Sequence, residues 1–279
     1  MASKEKRNTK IGIIILFVIF ALFFMGPLLW VLSLSFKTVP ELFYTPPKFL
    51  PEHFSFDNYI QALWNADILA YLLNSVRLVV GTLIVASAII IPAAYAFSRI
   101  PFKGSKTFQF CILIFQMISP LIISIPLYRY FSTLGLLNNW SSLTLIYVAL
   151  VLPFGTWTLK GYFDTIPFSI DEAGTIDGCT RWQVLTKILM PLIVPGLISV
   201  IVIMFVTSWA QFIVPFIMLS DSRMFPVSVG LVNMQSSADT ITTHLLAAAC
   251  IIAIAPTLLV FIILQKYIVS ALTAGAVKG

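Results

Sequence analysis

Charged side chains make up only 10% of this 279-residue sequence, yet five of them fall in one polar island. The island reads Ser169-Ile-Asp-Glu-Ala-Gly-Thr-Ile-Asp-Gly-Cys-Thr-Arg-Trp-Gln-Val-Leu-Thr-Lys-Ile-Leu-Met-Pro191 and carries Asp171, Glu172, Asp177, Arg181 and Lys187. Their spacing suits helix ends rather than bond making. Ser169-Ile-Asp-Glu172 fits a capping box, in which the serine accepts from the Glu172 amide and the glutamate reaches back to the serine amide. Thr180-Arg-Trp-Gln183 fits the same pattern. Acids in a first turn also suit the positive end of a helix. Between the two boxes, Gly178 can stop a helix in the left-handed conformation. The expectation is a short helix, a glycine turn and a second helix. Trp182, Leu185, Ile188 and Leu189 would form an apolar stripe on the second helix. Ile170, Ala173 and Gly174 would give the first a small face that lets a neighbour approach closely. Two readings follow: a connector lying on a membrane surface with both acids capping, or a knob that fits a groove on a soluble partner.

Catalytic chemistry lacks its parts. Cys111, Cys179 and Cys250 are far apart, and His53 and His244 are isolated, so neither a disulfide framework nor a metal spacing is present. The sequence has no G-x-x-x-x-G-K-[ST] phosphate loop, so this chain is not expected to bind ATP. No Ser/His/Asp or Cys/His set assembles. The expectation is a transport subunit, not an enzyme. The apolar segments lack carboxylates at their centres, which argues against a carrier driven by an intramembrane proton or sodium relay. A secondary transporter and an integral membrane enzyme are the competing classes. The first would work without ATPase partners and fail with the ion gradient; the second would turn over alone.

The frame around the island is apolar. A hydrophobic fraction of 59% and a mean hydropathy of +0.99, gathered in long runs, define a polytopic α-helical membrane protein. Six spans are expected, near 11–34, 68–97, 108–128, 143–159, 192–219 and 244–264. The first is too long for a signal-peptide core, and Gly26-Pro27 is a poor cleavage site. Residues 36–66, with Pro40, Pro46, Pro47 and Pro51, read as an extramembrane loop without a long helix. Residues 98–106 read as a basic loop, 134–142 as a polar turn and 220–242 as a polar loop. Prolines recur inside the spans, either as ordinary kinks or as joints of a bundle that flexes around a path. Arg77, near the outer end of the second span, reads first as a snorkelling side chain.

Orientation follows from Lys and Arg. With the amino terminus inside, twelve of the 17 lie on the inner side. That bias explains the net charge of +6 without nucleic acid. It makes both termini and the island cytoplasmic. The expected organisation is a basic tail (1–10), a transmembrane domain (11–270) with a coupling loop at 164–190, and a cytoplasmic tail (271–279).

Glu172-Ala-Gly-Thr-Ile-Asp-Gly178, followed by Ile188-Leu-Met-Pro191, resembles the EAA loop of ABC-importer permeases. Ile166-Pro167, Pro191-Leu-Ile-Val-Pro195 and the terminal Leu272-Thr-Ala-Gly-Ala-Val-Lys-Gly279 resemble its carbohydrate branch, the MalG-like permeases. The resemblance covers nearly the whole chain. Gly174 stands where the family has a second alanine, and Met190 where it has a leucine. The resemblance implies an all-α type I importer fold in the bacterial cell membrane, surrounded by lipid. It implies a second permease subunit, two ATP-binding subunits and an extracytoplasmic sugar-binding protein, with ATP held by the partners and no cofactor here. It implies inward transport of a sugar or oligosaccharide; a permease of the same fold for another solute is the alternative. Carried over, Glu172 is the charged anchor in the ATPase cleft, Ala173 and Gly174 the close-approach face and Gly178 the turn. Asp177, Arg181 and Pro191 complete the coupling set. Thr273, Gly275 and Lys278 would add a tail contact to the ATPase. For the substrate path, Trp209, Gln211, Gln116 and Asn74 are candidates, because sugars suit aromatic faces with a few placed polar groups. Each also reads as interhelical packing or hydrogen bonding. The family's Trp-Asn followed by an acid is here Trp209-Ala210-Gln211.

Overall fold

A computed structural model describes the backbone of residues 2–64, 67–236 and 243–276. It describes the side chains of these except 2–9, 11, 236 and 266–276. The described residues contain helices and turns and no strand. In chain order they are α1 (Ala2–Ser35), a 3-10 turn (Pro40–Phe43), α2 (Asp57–Trp64), α3 (Ile68–Arg99), α4 (Ser105–Gln116), α5 (Pro120–Thr133), α6 (Trp140–Asp164) and α7 (Phe168–Ile176). Then follow α8 (Arg181–Gln183), a π-helical segment (Val184–Leu189), α9 (Met190–Trp209), α10 (Ile213–Met218), a 3-10 turn (Ser222–Met224), α11 (Val227–Ser236) and α12 (Thr243–Ala276).

Five continuous helical stretches are long and apolar enough to cross a bilayer: Gly12–Ser35, Ile68–Arg99, Trp140–Asp164, Arg181–Trp209 and Thr243–Gln265. A sixth crossing exists if α4 and α5 are counted together, but they meet at 89°. The expected single helix over 108–128 is therefore broken. Pro120 has no N–H and disfavours helical backbone at the residue before it. Ser119 accordingly sits at ψ 132° and caps α5 by accepting from the Leu121 amide. Pro92, Pro126, Pro153, Pro195 and Pro256 stay inside their helices.

Three other expectations change. The fifth span was expected at 192–219; its helix instead starts at Arg181 and stops at Trp209, with α10 a separate short helix. The loop expected over 220–242 contains α11. The last helix continues to Ala276, so the expected 271–279 tail begins as helix.

The chain forms two compact units, residues 1–69 with 231–255, and residues 70–230 with 256–279. In the first, Asn58 donates to the carbonyls of Ser35 and Lys37, both at 2.9 Å, tying α2 to the end of α1. Buried Glu41 accepts from the amides of Thr38 and His53 at 3.2 and 3.1 Å. In the second, one core joins α3, α6 and α9 through residues such as Ile90, Val151, Leu159 and Met204. A second core joins α3, α5, α6 and α10 through Leu78, Phe131, Tyr147 and Met218.

Candidate functional site

The island folds as a knob of two helices joined at Gly178. Helix α7 starts two residues earlier than its sequence signal. Pro167 is the N-cap and its carbonyl takes the Ile170 amide at 3.2 Å. A proline has no side-chain acceptor, so α7 has no side-chain cap and the expected Ser169–Glu172 box does not form. The second box does form. The Gln183 amide donates to Thr180 Oγ1 at 3.3 Å, and the Thr180 amide to Gln183 Oε1 at 2.8 Å. Gly178 has φ +80°, and the Cys179 amide closes the end of α7 on the Gly174 carbonyl at 3.0 Å. Left-handed backbone of this kind is easy for glycine and strained for other residues.

Gly174 is the buried residue of α7. A Cβ there would lie 2.5 Å from Ile188 Cδ1 and 3.2 Å from Val184 Cγ2. Its close approach is thus made to the second helix of the knob, within this chain, and not to an outside surface. Glu172, Ala173, Asp177, Gly178, Arg181 and Pro191 are exposed. So are large apolar side chains of both helices, among them Ile176 at 85% and Trp182 at 64%. The expected stripe therefore loses Trp182. Leu185 and Leu189 are buried as expected, and Val184 joins them. The π segment explains the shift. Pro191 cannot donate to the Lys187 carbonyl, and the Met190 amide goes to Leu185, five residues back. Wider winding turns residues before it out of phase with those after it.

Arg99 was legible in the sequence only as an inner charge. Its side chain is 3% exposed and holds α7 to the end of α3. Nε lies 3.1 Å from Asp171 Oδ2, an ion pair by distance without the alignment of a hydrogen bond. Nη2 donates to the Ile166 carbonyl at 2.9 Å. The guanidinium stands 4.4 Å from the Phe168 ring centroid. Beside it, Asp164 accepts from Ser98 Oγ and Lys160 Nζ, both at 2.6 Å, joining the ends of α3 and α6. Asp171 therefore anchors the knob inward, while Glu172 points its charge to the exterior.

A cavity of about 420 Å³ lies against the break between α4 and α5, the middle of α6 and the end of α9. Of the four path candidates, Gln116 and Gln211 line it, together with Thr207, Ser208, Tyr147 and Phe154. The other two do not. Trp209 is 9% exposed and stacks on Phe205 at 5.4 Å. Asn74 donates to the carbonyls of Arg223 and Phe225 at 2.8 and 3.1 Å, tying α3 to the turn before α11. Arg77 stands over the Trp140 ring at 5.8 Å. Thr273 and Gly275 lie on the last turns of α12, and Lys278 lies outside the described residues.

Comparison with known proteins agrees with this architecture. The family described as "Binding-protein-dependent transport system inner membrane component" matches residues 86–274. The chain is 33% identical over 282 residues to the "Inner membrane ABC transporter permease protein YcjP" of Escherichia coli, covering 100% of each. It is 33% identical to the "Trehalose/maltose transport system permease protein MalG" of Thermococcus litoralis, covering 99% of each. It is 31% identical to the "Diacetylchitobiose uptake system permease protein NgcG" of Streptomyces coelicolor, covering 99% of this chain and 91% of the relative. A solved bacterial ABC transporter that imports the acidic polysaccharide alginate shares the fold, with a TM-score of 0.80 at 23% identity over 94% of this chain and 97% of that one.

Proposed function

The chain belongs to the binding-protein-dependent transport system inner membrane components, and from that premise we propose that it carries a sugar or oligosaccharide inward as one permease subunit of an ABC importer. Curated relatives that match along nearly the whole chain are named for trehalose, maltose and diacetylchitobiose. A further structural neighbour was solved with a periplasmic protein bound to an alginate pentasaccharide, and we extend an external binding protein to this chain as well. A second permease subunit and two ATP-binding subunits complete the assembly, with ATP held by the latter. Both termini and the knob face the cytoplasm.

Coupling runs through residues 169–190. The observation that carries this reading is the knob itself, with an exposed acid, exposed apolar side chains and a firm internal anchor. Glu172, Ile176 and Trp182 face outward, whereas Asp171 and Gly174 fix the knob to its own chain. Exposed apolar side chains beside a charge suit docking in a cleft of a soluble partner. Arg181, Asp177 and Ala173 border that face, and Pro191 sets the start of α9. Thr273, Gly275 and Lys278 are proposed as a second contact with the ATPase. The helical stretch from Arg181 to Trp209, which includes the π segment, joins the knob to the cavity wall and carries its motion there. The work of this chain is a change of contacts between two states, not bond chemistry.

The test is Glu172→Ala combined with Gly178→Pro in the reconstituted complex. The variant is expected to assemble, hydrolyse ATP at the basal rate and lose sugar-stimulated uptake. Normal coupled uptake by an assembled variant refutes the assignment.

A further inference from the structure

The cavity at the broken helix has three properties that together define a ligand. First, among the described residues its wall carries no charged side chain; its polar groups are two amides, two aliphatic hydroxyls and the Tyr147 phenol. Amides both donate and accept, which suits ligand hydroxyls, and Phe115 and Phe154 supply apolar faces. Second, the hydroxyl of Ser208, in a residue 4% exposed, has no hydrogen-bond partner among the described residues. Buried hydroxyls are normally satisfied, so this one, in a residue of the cavity wall, is left for a partner that the described residues do not supply. Third, α4 ends and α5 begins against this cavity. Non-helical backbone at membrane depth persists where it is enclosed by protein or lines a polar path. Discontinuous helices are also where transporters place their substrates.

We propose that this cavity is a saccharide subsite contributed by this subunit itself, and that it takes an uncharged sugar ring rather than a uronate or a sulfonated sugar. Gln116 and Gln211 bracket the ring with their amides, Ser208 and Thr207 take its hydroxyls, and Phe115 and Phe154 pack on its C–H faces. A volume of about 420 Å³ falls within the range of small-ligand pockets. An anionic sugar would leave its charge in this wall without a counter-charge, which is strongly unfavourable in a low-dielectric site. A lipid chain is the competing occupant. It would use the same apolar residues and ignore the amides.

The inference rests on the proposed function, and the experiment separates the two. The whole complex with its own binding protein is reconstituted in vesicles, and the ligand that the binding protein retains on purification is identified by mass spectrometry. Stimulation of ATP hydrolysis is compared for that ligand, maltotriose and an alginate trisaccharide. The retained ligand is expected to be a neutral saccharide. Gln116→Leu with Gln211→Leu, and separately Ser208→Ala, are expected to lower uptake about tenfold or more, the loss of one or more hydrogen bonds to substrate. Assembly and basal hydrolysis stay within about twofold of the unaltered complex, a change well below one hydrogen bond. A retained uronate or sulfonated sugar that drives uptake overturns the subsite and leaves the sugar-importer reading intact. So does unchanged uptake of a neutral sugar by the leucine pair, which is the outcome a lipid-filled cavity gives. A retained ligand that is no saccharide overturns the proposed function itself.

Discussion

At the level of single residues, neighbouring acids take opposite roles. Asp171 is drawn inward by Arg99, whereas Glu172, one residue on, stays exposed. Breaking a buried ion pair from one side strands the other charge, typically at a cost of about 3–5 kcal/mol. Arg99→Ala should therefore lower the thermal stability of the detergent-purified complex by an amount near that range. Arg99→Leu with Asp171→Leu should recover much of it, because a well-packed apolar pair replaces a buried ion pair at little loss. A single Arg99→Ala variant that melts with the unaltered protein would rule out the anchor. Arg99→Lys is a poor substitute, since lysine lacks the planar fork that reaches the Ile166 carbonyl while facing Phe168. None of this was visible in the sequence, where Arg99 and Asp171 are distant and Arg99 counted only toward orientation. Gly178 and Thr180 were visible, because turn and cap chemistry are local. Gly174 was half visible: its small size signalled a close approach, but the approaching group, Ile188, lies across the turn.

Among the helices, sequence signals succeeded where one local preference acted alone. Thr180–Gln183 forms its box as its spacing predicts. Loss of a threonine cap typically costs about 1 kcal/mol. Thr180→Ala should speed hydrogen exchange at the Gln183 amide severalfold while leaving the interior of α9 unchanged; equal protection at Gln183 would show the cap to be dispensable. Ser169 fails by the same logic, because Pro167 starts the helix before the serine can cap it. The prolines show why apolar runs alone placed the third span as one helix. Pro126 and Pro153 sit within their helices, whereas Pro120 follows a capping serine and opens one. Composition does not distinguish these outcomes; the preceding residue and the available caps do. The π segment explains the misplacement of Trp182, since a count at 3.6 residues per turn does not carry across a wider turn.

For the molecule as a whole, long apolar runs made the class and four of the helical crossings readable, because a bilayer demands about 20 apolar residues whatever the tertiary packing. The cavity was not readable, since it draws on residues from four helices that only folding brings together. Orientation remains testable directly. Reporter fusions at residues 45 and 175 should report opposite sides of the membrane, with 175 in the cytoplasm; the same side for both would break the six-span arrangement. The continuous run from Arg181 to Trp209 is 29 residues, about 43 Å at the usual rise per residue. In the proposed coupling it serves as a drive shaft, with Trp182 near one end and Ser208 near the other. Under the proposed coupling, a rotation applied at the knob would arrive beside the cavity reduced by what the six-residue π turn absorbs, so the torsional stiffness of Val184–Leu189 would set how much of each stroke reaches the cavity wall.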